Sequence, residues 1–299
     1  MTIEIGLKID VDTNLGAREG IPALLDILKR YNIKATFLFS LGPDNTGRAL
    51  WQIFKPGFFK KASRTNVLEI YGLKTLLSGV FWNGPLIGKS NEEIIQKVKD
   101  EGHEVGIHTY DHRTWQDTLF KMSEDEVFNT CLKAHKEFER IFGMPSKTIG
   151  AAGWQASAFS LKACDLLQYE YASDTRGTTP FFPKISETIF KTLQLPTTLP
   201  TLDELLGRPE YPLEIITQAL LNRCKSKALN VFTLHTELEG GIYKKWFESF
   251  IKKGLEKEVT FLPLCEIAKK ALNDPDNIPV CELVQKSIEG RAGLLACQG

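Results

Sequence analysis

Short apolar runs rich in β-branched residues alternate along this chain with longer stretches whose apolar positions recur at helical spacing. The first of them predict a strand over 4–10, a helix over 20–31 and a second strand over 34–40, which together make a βαβ unit. The pattern continues, with strands predicted over 104–108, around 149, and over 169–174, 190–195, 230–235 and 259–263, and helices over 92–101, 123–142, 213–224, 244–256 and 266–272.

Continued alternation of strands and helices indicates parallel strands joined by crossover helices, and so many units without a linker favour a barrel over an open sheet. The 299 residues would suffice for one large α/β domain or for two ordinary ones. We find no internal repeat or low-complexity tract, and we expect one domain over 1–299. The alternation of strands and helices is interrupted once, over about 49–90, and we interpret this segment as an insertion between the second and third strands.

The chain carries 37 basic and 37 acidic residues, so no overall field would recruit nucleic acid or another charged polymer. Its six cysteines form no CxxC pair, which is typical of reduced thiols. The N-terminus shows no basic start followed by an apolar core, as a secretion signal would, and no window holds eighteen consecutive apolar residues. We therefore expect a cytoplasmic location, with any membrane contact made at the surface.

Ionisable residues stand where several predicted strands end. Asp10 closes the first strand and Asp12 follows it, His108 closes a later strand with His112 four residues further on, and His235 closes another. In parallel α/β architectures the C-terminal ends of the strands form the active-site face, so we expect all of these residues on one rim. There His235 is the natural proton donor, unless it is a buried histidine bonded to the backbone.

Asp12, His108 and His112 together suggest a metal site. Asp10 and Asp12 would repel each other unless a cation or a proton intervened, although Asp12-Thr13 alone could equally be a turn cap. Histidines at i and i+4 can bind one metal ion, but this pair lacks the glutamate of a metalloprotease helix and is a weak signal by itself. One aspartate and two histidines leave coordination positions open, as in catalytic sites, and suit zinc, manganese, iron, cobalt and nickel alike.

Three segments resemble, in the expected order, the motifs of the NodB-homology polysaccharide deacetylases, carbohydrate esterase family 4. The segments are Ile9-Asp-Val-Asp12, His108-Thr-Tyr-Asp-His112 and Thr233-Leu-His235. The resemblance implies a distorted (β/α) barrel of the NodB-homology type and a metal-dependent hydrolase of amide bonds. By the same resemblance Asp10 is the catalytic base, Asp12, His108 and His112 bind the divalent metal ion, and His235 is the catalytic acid.

Further segments resemble a branch of that family that acts on lipid-linked sugars; they are 42–45, 151–154, 173–177, 195–201 and 290–293, so the similarity covers nearly the whole chain. Members of this branch remove formate from undecaprenyl-phosphate-linked 4-formamido-4-deoxy-L-arabinose, for lipid A modification and resistance to cationic antimicrobial peptides. Close relatives deacetylate an N-acetylhexosamine on the same carrier. The resemblance thus implies a lipid-linked amino-sugar substrate, with Gly153, Trp154, Asp174 and Arg176 as substrate-binding residues.

One position departs from the pattern of the broader family. Many members place an arginine before Pro-x-Gly to orient the catalytic aspartate, whereas this chain has Ala151-Ala-Gly-Trp154. We expect Arg176, beside Asp174, to orient Asp10 instead. The alternative is that Arg176 is a solvated surface residue.

Residues 51–90 hold six basic side chains, one acidic side chain and seven aromatic rings. Aromatic rings with basic flanks are typical of surfaces that lie at a lipid interface. The alternative is that the rings pack on the barrel while the lysines keep a helical insertion soluble. Because the implied substrate is lipid-linked, we favour a helical insertion that contacts the cytoplasmic face of the bacterial inner membrane.

Other functions remain open from the sequence alone. The motifs do not separate deformylation from deacetylation, because both reactions use the same water, base and acid and the acyl pocket differs by one methyl group. An inactive sugar- or lipid-binding barrel would account for the missing arginine. A hydrolase of small soluble amides would give no reason for the basic, aromatic insertion.

Overall fold

The computed structural model describes residues 2–48, 84–291 and 293–299. The strands are β1 (Glu4–Val11), β2 (Thr36–Phe39), β3 (Glu104–Ile107), β4 (Thr148–Ile149), β5 (Tyr171–Ala172), β6 (Phe182–Ile185), β7 (Thr188–Ile189), β8 (Leu193–Gln194), β9 (Val231–His235), β10 (Thr260–Leu262), β11 (Val280–Lys286) and β12 (Leu295–Gln298). The α-helices are α1 (Ile21–Arg30), α2 (Ile87–Ser90), α3 (Glu92–Asp100), α4 (His112–Thr118), α5 (Glu124–Phe142), α6 (Ala158–Leu166), α7 (Leu202–Leu205), α8 (Leu213–Arg223), α9 (Lys244–Glu256) and α10 (Leu264–Leu272).

Eight parallel strands of the described residues form one sheet, in the order β10-β1-β2-β3-β4-β5-β8, with β9 also paired to β1. The segment after β8 returns to β9, because the backbone N–H groups of Thr198 and Leu199 donate to the carbonyl of Val231 at 3.2 and 3.1 Å. The sheet therefore closes on itself through irregular hydrogen bonds rather than a regular ladder. The predicted distorted (β/α) barrel is confirmed.

The two faces of β1 show how the barrel is filled. Ile5, Leu7 and Ile9 are fully buried in the hydrophobic core with the helices. Successive side chains of a strand point to opposite faces, so Lys8 and Asp10 project from the other face, toward the barrel interior, where both are buried. This alternation places charged groups inside the barrel, close to the C-terminal end of the strand.

A smaller sheet, which the sequence analysis did not predict, follows the order β12-β11-β6-β7. Its strand β11 is mostly exposed or half-buried, so the apolar pattern that marks a buried strand is weak there. The small sheet is joined to the barrel beside β5: the N–H of Arg176 donates to the carbonyl of Ala296 at 2.9 Å, and the N–H of Gln298 donates to the carbonyl of Arg176 at 2.8 Å.

Helix α5 begins and ends as its sequence predicts. Ser123 and Glu126 form the reciprocal capping box, and Gly143 ends the helix in the left-handed conformation with φ of 65°. In the interrupted segment, the structure describes α2 and the residues just before it, whereas residues 49–83, with most of the predicted helical insertion, lie outside the described residues. No helix within the described ranges combines the length and the apolar character needed to cross a bilayer.

Candidate active site

Asp12, His108 and His112 meet at the C-terminal ends of β1 and β3. Nε2 of His108 lies 3.3 Å from Oδ1 of Asp12, and Nε2 of His112 lies 3.4 Å from Oδ2 of the same carboxylate. One ligand atom from each of the three residues lies within 4.8 Å of the others. The structure thus brings the three residues predicted to bind metal to one point.

Hydrogen bonds from a neighbouring strand end and from within the turn hold the turn that carries both histidines. The hydroxyl of Ser40, just after β2, donates to the carbonyl of His108 at 2.8 Å. Asp111 then begins α4 as its N-cap, since its Oδ1 accepts from the N–H of Thr114 at 2.9 Å. His112 is therefore the first residue of a capped helix, and its imidazole is directed by that helix rather than by a loose loop.

The segment 42–45 after β2 braces the same loops. Oδ2 of Asp44 accepts from the N–H of Asn14, in the turn after β1, at 2.9 Å. Nδ2 of Asn45 donates to Oδ2 of Asp111, the N-cap of α4, at 2.7 Å. A single short segment therefore fixes the loop after β1 relative to the turn that carries the two histidines.

The chemistry of the three side chains fits a divalent metal ion. Burial raises the pKa of Asp12 to about 7; the nearby His235 acts to lower this pKa, and the nearby Asp10 acts to raise it. Within the described part of the chain, Oδ1 of Asp12 accepts no hydrogen bond. Burial lowers the pKa of His112 to about 4 and that of His108 well below its usual value, so both rings are neutral at pH 7 and keep a lone pair. The carboxylate of Asp12 faces both rings, with Oδ1 toward His108 and Oδ2 toward His112, so it can share a cation with either imidazole.

Asp10 stands beside this cluster and is 2% exposed. Its Oδ1 lies 3.7 Å from Nδ1 of His108, and its Oδ2 lies 3.6 Å from Nζ of Lys8. Among the groups of the described ranges, none donates a hydrogen bond to Oδ1 of Asp10. The carboxylate is thus buried, close to the three predicted ligands and next to a buried ammonium group.

His235 lies on the neighbouring strand at the level of Asp10, because the register of β1 with β9 pairs these two residues. Residues paired in this way project from the same face of the sheet. His235 is half-buried, and its backbone N–H donates to Oε2 of Glu239 at 2.8 Å. The structure therefore brings His235 to the rim with the other candidates.

Trp154 and Asp174 lie near Lys8, the buried neighbour of Asp10, and Gly153 directly precedes Trp154. Gly153 and Trp154 both adopt left-handed backbone conformations, with φ of 61° and 52°. Nε1 of Trp154 donates to Oγ1 of Thr197 at 3.0 Å, and Oδ1 of Asp174 accepts from the N–H of Ala151 at 2.7 Å. Burial raises the pKa of Asp174 to about 6. Trp154 and Asp174 are each 2% exposed, so both side chains are almost fully buried.

Arg176 is not a solvated surface residue, and the expectation that it orients Asp10 is wrong. Its NH1 donates to Oε1 of Glu204 at 2.6 Å, and its remaining nitrogens donate to backbone carbonyls after β8. Its guanidinium lies 5.0 Å from the centre of the Trp154 ring. The cation next to Asp10 is Lys8, which enters from the interior face of β1.

Sequence reasoning missed Lys8 and also two buried acids, Glu237 and Glu239. Oε1 of Glu237 accepts from the N–H and the hydroxyl of Thr13 at 2.8 and 2.6 Å, which joins the loop after β9 to the loop after β1. Burial and the carboxylate of Asp12 raise the pKa of Glu237 to about 8, and burial raises the pKa of Glu239 well above its usual value. The sequence did offer a signal for them, because Glu237 and Glu239 are two positions apart and follow closely after His235 at the end of β9.

The chain is similar in sequence and in fold to several known proteins. It is 35% identical over 297 residues (99% of this chain, 94% of the relative) to a Shewanella sediminis protein named "Probable 4-deoxy-4-formamido-L-arabinose-phosphoundecaprenol deformylase ArnD", and 34% identical over 287 residues (95% and 98%) to one of the same name from Wigglesworthia glossinidia brevipalpis. The "Crystal structure of putative polysaccharide deacetylase from Mycobacterium smegmatis" superposes with a TM-score of 0.63 and 16% identity, covering 96% of this chain and 95% of its own.

The model of the polysaccharide deacetylase family matches residues 5–172. This match includes β1 with Asp10 and Asp12 and the turn with His108 and His112. It agrees with the predicted class, a hydrolase that acts on amide carbon–nitrogen bonds. The chain therefore belongs to the polysaccharide deacetylase family.

Proposed function

We propose that this chain hydrolyses the formamide of undecaprenyl-phosphate-linked 4-formamido-4-deoxy-L-arabinose, releasing formate and leaving a free amine on the sugar. The observation that carries the proposal is the similarity, over 99% and 95% of the chain, to two proteins named as deformylases of that substrate. The cluster of one aspartate and two histidines supports it, because hydrolysis of an amide needs strong activation. The reaction would serve lipid A modification and resistance to cationic antimicrobial peptides.

Asp12, His108 and His112 would hold the divalent metal ion. When bound, such an ion polarises an amide carbonyl and lowers the pKa of a water molecule. Carboxylate and imidazole ligands suit zinc, manganese, cobalt, iron and nickel, so the ligand set does not select among them. The two neutral imidazoles and the Asp12 carboxylate, ionised when it binds the ion, would together supply one formal negative charge, which favours a cation at this point.

Asp10 is the proposed base. Its carboxylate is buried beside His108, and within the described residues its Oδ1 has no hydrogen-bond donor, so this oxygen is available to a substrate or solvent proton. It would take a proton from the water whose oxygen forms the new bond to the acyl carbon. The carbonyl oxygen then carries the negative charge until the carbon–nitrogen bond breaks.

His235 is the proposed acid. It is paired in register with Asp10 and is half-buried, so its imidazole can reach a group held in the mouth of the barrel. It would donate a proton to the amide nitrogen as the carbon–nitrogen bond breaks, because an unprotonated amide anion is a very poor leaving group. The products are formate and the amine of the sugar.

We assign the substrate-binding role of Gly153 and Trp154, with Asp174 and Arg176 behind them, to the wall against which the sugar rests. The left-handed backbone at Gly153 and Trp154 supports this assignment, since it turns the chain sharply beside Asp174. Deformylation and deacetylation differ by one methyl group at the acyl carbon, which such a wall would admit or exclude.

The reaction itself is tested by measuring formate release from the 4-formamido-arabinose lipid and acetate release from the N-acetylhexosamine lipid, with metal-loaded protein. We expect formate release that stops on treatment with a chelator and returns when metal is restored. Acetate release alone would instead make the chain a deacetylase of the same lipid carrier. Turnover of neither lipid would support an inactive sugar- or lipid-binding barrel.

A lipid-linked substrate would bring the protein to the cytoplasmic face of the bacterial inner membrane, as a peripheral protein bound through about 51–90. The six basic side chains and seven aromatic rings of that segment support the proposal. Flotation with anionic vesicles tests it: the full chain should float, and a variant that lacks 54–82 should not. If neither protein floats, the membrane contact is refuted, while the hydrolysis assay stays independent of this result.

A further inference from the structure

We propose that Lys8 is a positioning residue that holds the Asp10 carboxylate in the orientation of a base. It would take the place of the arginine that many members of the family supply from the segment after β4. The inference rests on the proposed function, because the orientation of Asp10 matters only if Asp10 takes the proton.

Lys8 reaches Asp10 from within the same strand. The two residues are two positions apart on β1, so their side chains project from the same face toward the barrel interior. Nζ of Lys8 lies 3.6 Å from Oδ2 of Asp10 and donates to the carbonyl of Ser173 at 2.9 Å. The hydrogen bond to Ser173 fixes the ammonium at one point, and the carboxylate of Asp10 lies at ion-pair distance from that point.

A fully buried ammonium group is stable only beside negative charge. Lys8 has a relative exposure of 0%, and an unpaired charge at such a position would be expelled or neutralised. Two carboxylates lie near it: Asp10 at 3.6 Å, and Asp174, whose pKa is raised by burial with Lys8 as a smaller opposing influence. Both oxygens of Asp174 already accept hydrogen bonds, from the N–H of Ala151 and from Nε2 of Gln194. Asp10 is therefore the carboxylate whose direction depends on Lys8.

The barrel leaves room for this lysine. A side chain at Gly150, just after β4, would place its Cβ 3.1 Å from Nζ and Cε of Lys8 and 2.5 Å from a methyl group of Leu38. The ring of Trp154 covers the ammonium from 5.5 Å. The cation thus fills the space beside the segment 151–154, where the family pattern places its arginine, and it enters that space from β1.

The first test compares turnover of the Lys8→Met and Lys8→Arg variants in the formate-release assay. If Lys8 positions the base, Lys8→Met lowers kcat by about 100-fold with little change in KM, since misplacing a reacting group by about 1 Å has that effect. Lys8→Arg should recover most of the loss, because it restores a cation. Lys34→Met is the matched control, since the ammonium of Lys34 also donates to a backbone carbonyl, that of Glu101, but lies at the opposite end of the strands.

The second test uses Co²⁺ binding, followed by absorption, and needs no turnover. Without Lys8, the carboxylate of Asp10 is free to rotate toward the metal, so Lys8→Met should change the Co²⁺ spectrum and raise the affinity for Co²⁺. In the Asp10→Asn background the same Lys8→Met substitution should leave the spectrum unchanged and raise the affinity by less, because only the loss of the positive charge of Lys8 then acts. Thermal melting of each variant shows that the proteins compared are folded.

Unaltered kcat in folded Lys8→Met protein would overturn the proposal, as would an equal change in Co²⁺ affinity with and without the carboxylate at position 10. That second result would mean that Lys8 affects the metal only through its positive charge and does not orient Asp10. Failure of the proposed function looks different: the wild-type protein would then bind no Co²⁺ or release neither formate nor acetate. The two failures are therefore distinguishable.

Discussion

Oε1 of Glu204 accepts a hydrogen bond from NH1 of Arg176 at 2.6 Å, and the same oxygen accepts from Nε of Arg291 at 2.8 Å. Burial favours the neutral form of this carboxyl, but the guanidinium groups of Arg291 and Arg176 hold the pKa of Glu204 below its usual range. The buried acid thus joins the strand-end segment after β5 to the loop between β11 and β12.

Replacing Glu204 by Gln should destabilise the protein by about 3–5 kcal/mol, because it removes the charge that compensates a buried guanidinium. The measurement is the free energy of unfolding in urea. Glu289→Gln is the matched control: Glu289 also pairs with an arginine, Arg208, but its side chain is 83% exposed. Loss of the ion pair between Glu289 and Arg208 should change the free energy of unfolding by less than about 1 kcal/mol. Equal effects of the two substitutions would contradict the assigned role of Glu204.

Alanine at Asp12, His108 or His112 should abolish metal binding and turnover together. The affinity for Zn²⁺ or Co²⁺ should fall by more than about 100-fold, which is the upper range for residues one step removed from a metal ion. Metal content after dialysis and formate release are the measurements. His135→Gln, on α5, should keep both properties. A His112→Ala protein that retains a full complement of metal would remove this histidine from the proposed ligand set.

Asp10→Asn and His235→Gln should separate metal binding from turnover. Each removes one proton-transfer group, so kcat should fall by about 10²–10⁴-fold while the bound metal remains. Metal analysis of the purified variants is compared with their rates of formate release. Loss of metal from His235→Gln would move this residue from the acid role to the ligand set.

His103 should make stability depend on pH. Nδ1 of His103 accepts from the N–H of Ala35 at 3.2 Å, so the folded ring is neutral; burial and Lys34 lower its pKa from 6.5 to about 4. Between these values the unfolded chain binds more protons, so the stabilisation is complete above pH 6.5 and is lost as the pH falls to about 4. The loss should be about 2 kcal/mol, reduced by solvent screening.

The measurement for His103 is urea unfolding at pH 7 and at pH 4.5, with His103→Asn as the comparison. Asparagine can accept the same hydrogen bond but does not titrate, so it should lack this part of the pH dependence. Parallel curves for the two proteins would show that the His103 imidazole titrates normally.

The barrel and most of the site could be predicted because their signals are local. The long barrel strands are mostly buried and rich in apolar residues, and Asp12 and His108 follow two of them directly. The cap of α5 was predictable for the same reason, since Ser123 and Glu126 are three residues apart. Strand-end position and capping depend only on neighbours in sequence, and both are visible without a fold.

The partners of the charged groups were not predictable, because they are distant in sequence. Arg176 contacts Glu204 and Trp154, and only the fold shows that it is turned away from Asp10. Lys8 was overlooked because one lysine in an apolar strand is usually assigned to a solvent-facing position. The small sheet was missed because its strands β7 and β11 are largely exposed.

The pairing of β12 with the backbone of Arg176 limits how this enzyme can be shortened. Leu295 and Cys297 of β12 pack on Trp154, so the last strand supports the segment to which we assign a wall of the proposed active site. Removing residues 280–299 would uncover the indole and unpair that backbone, and we expect insoluble protein. The stretch 5–172 is thus a recognisable core but not an excisable module, and protein engineering should vary its loops rather than trim its end.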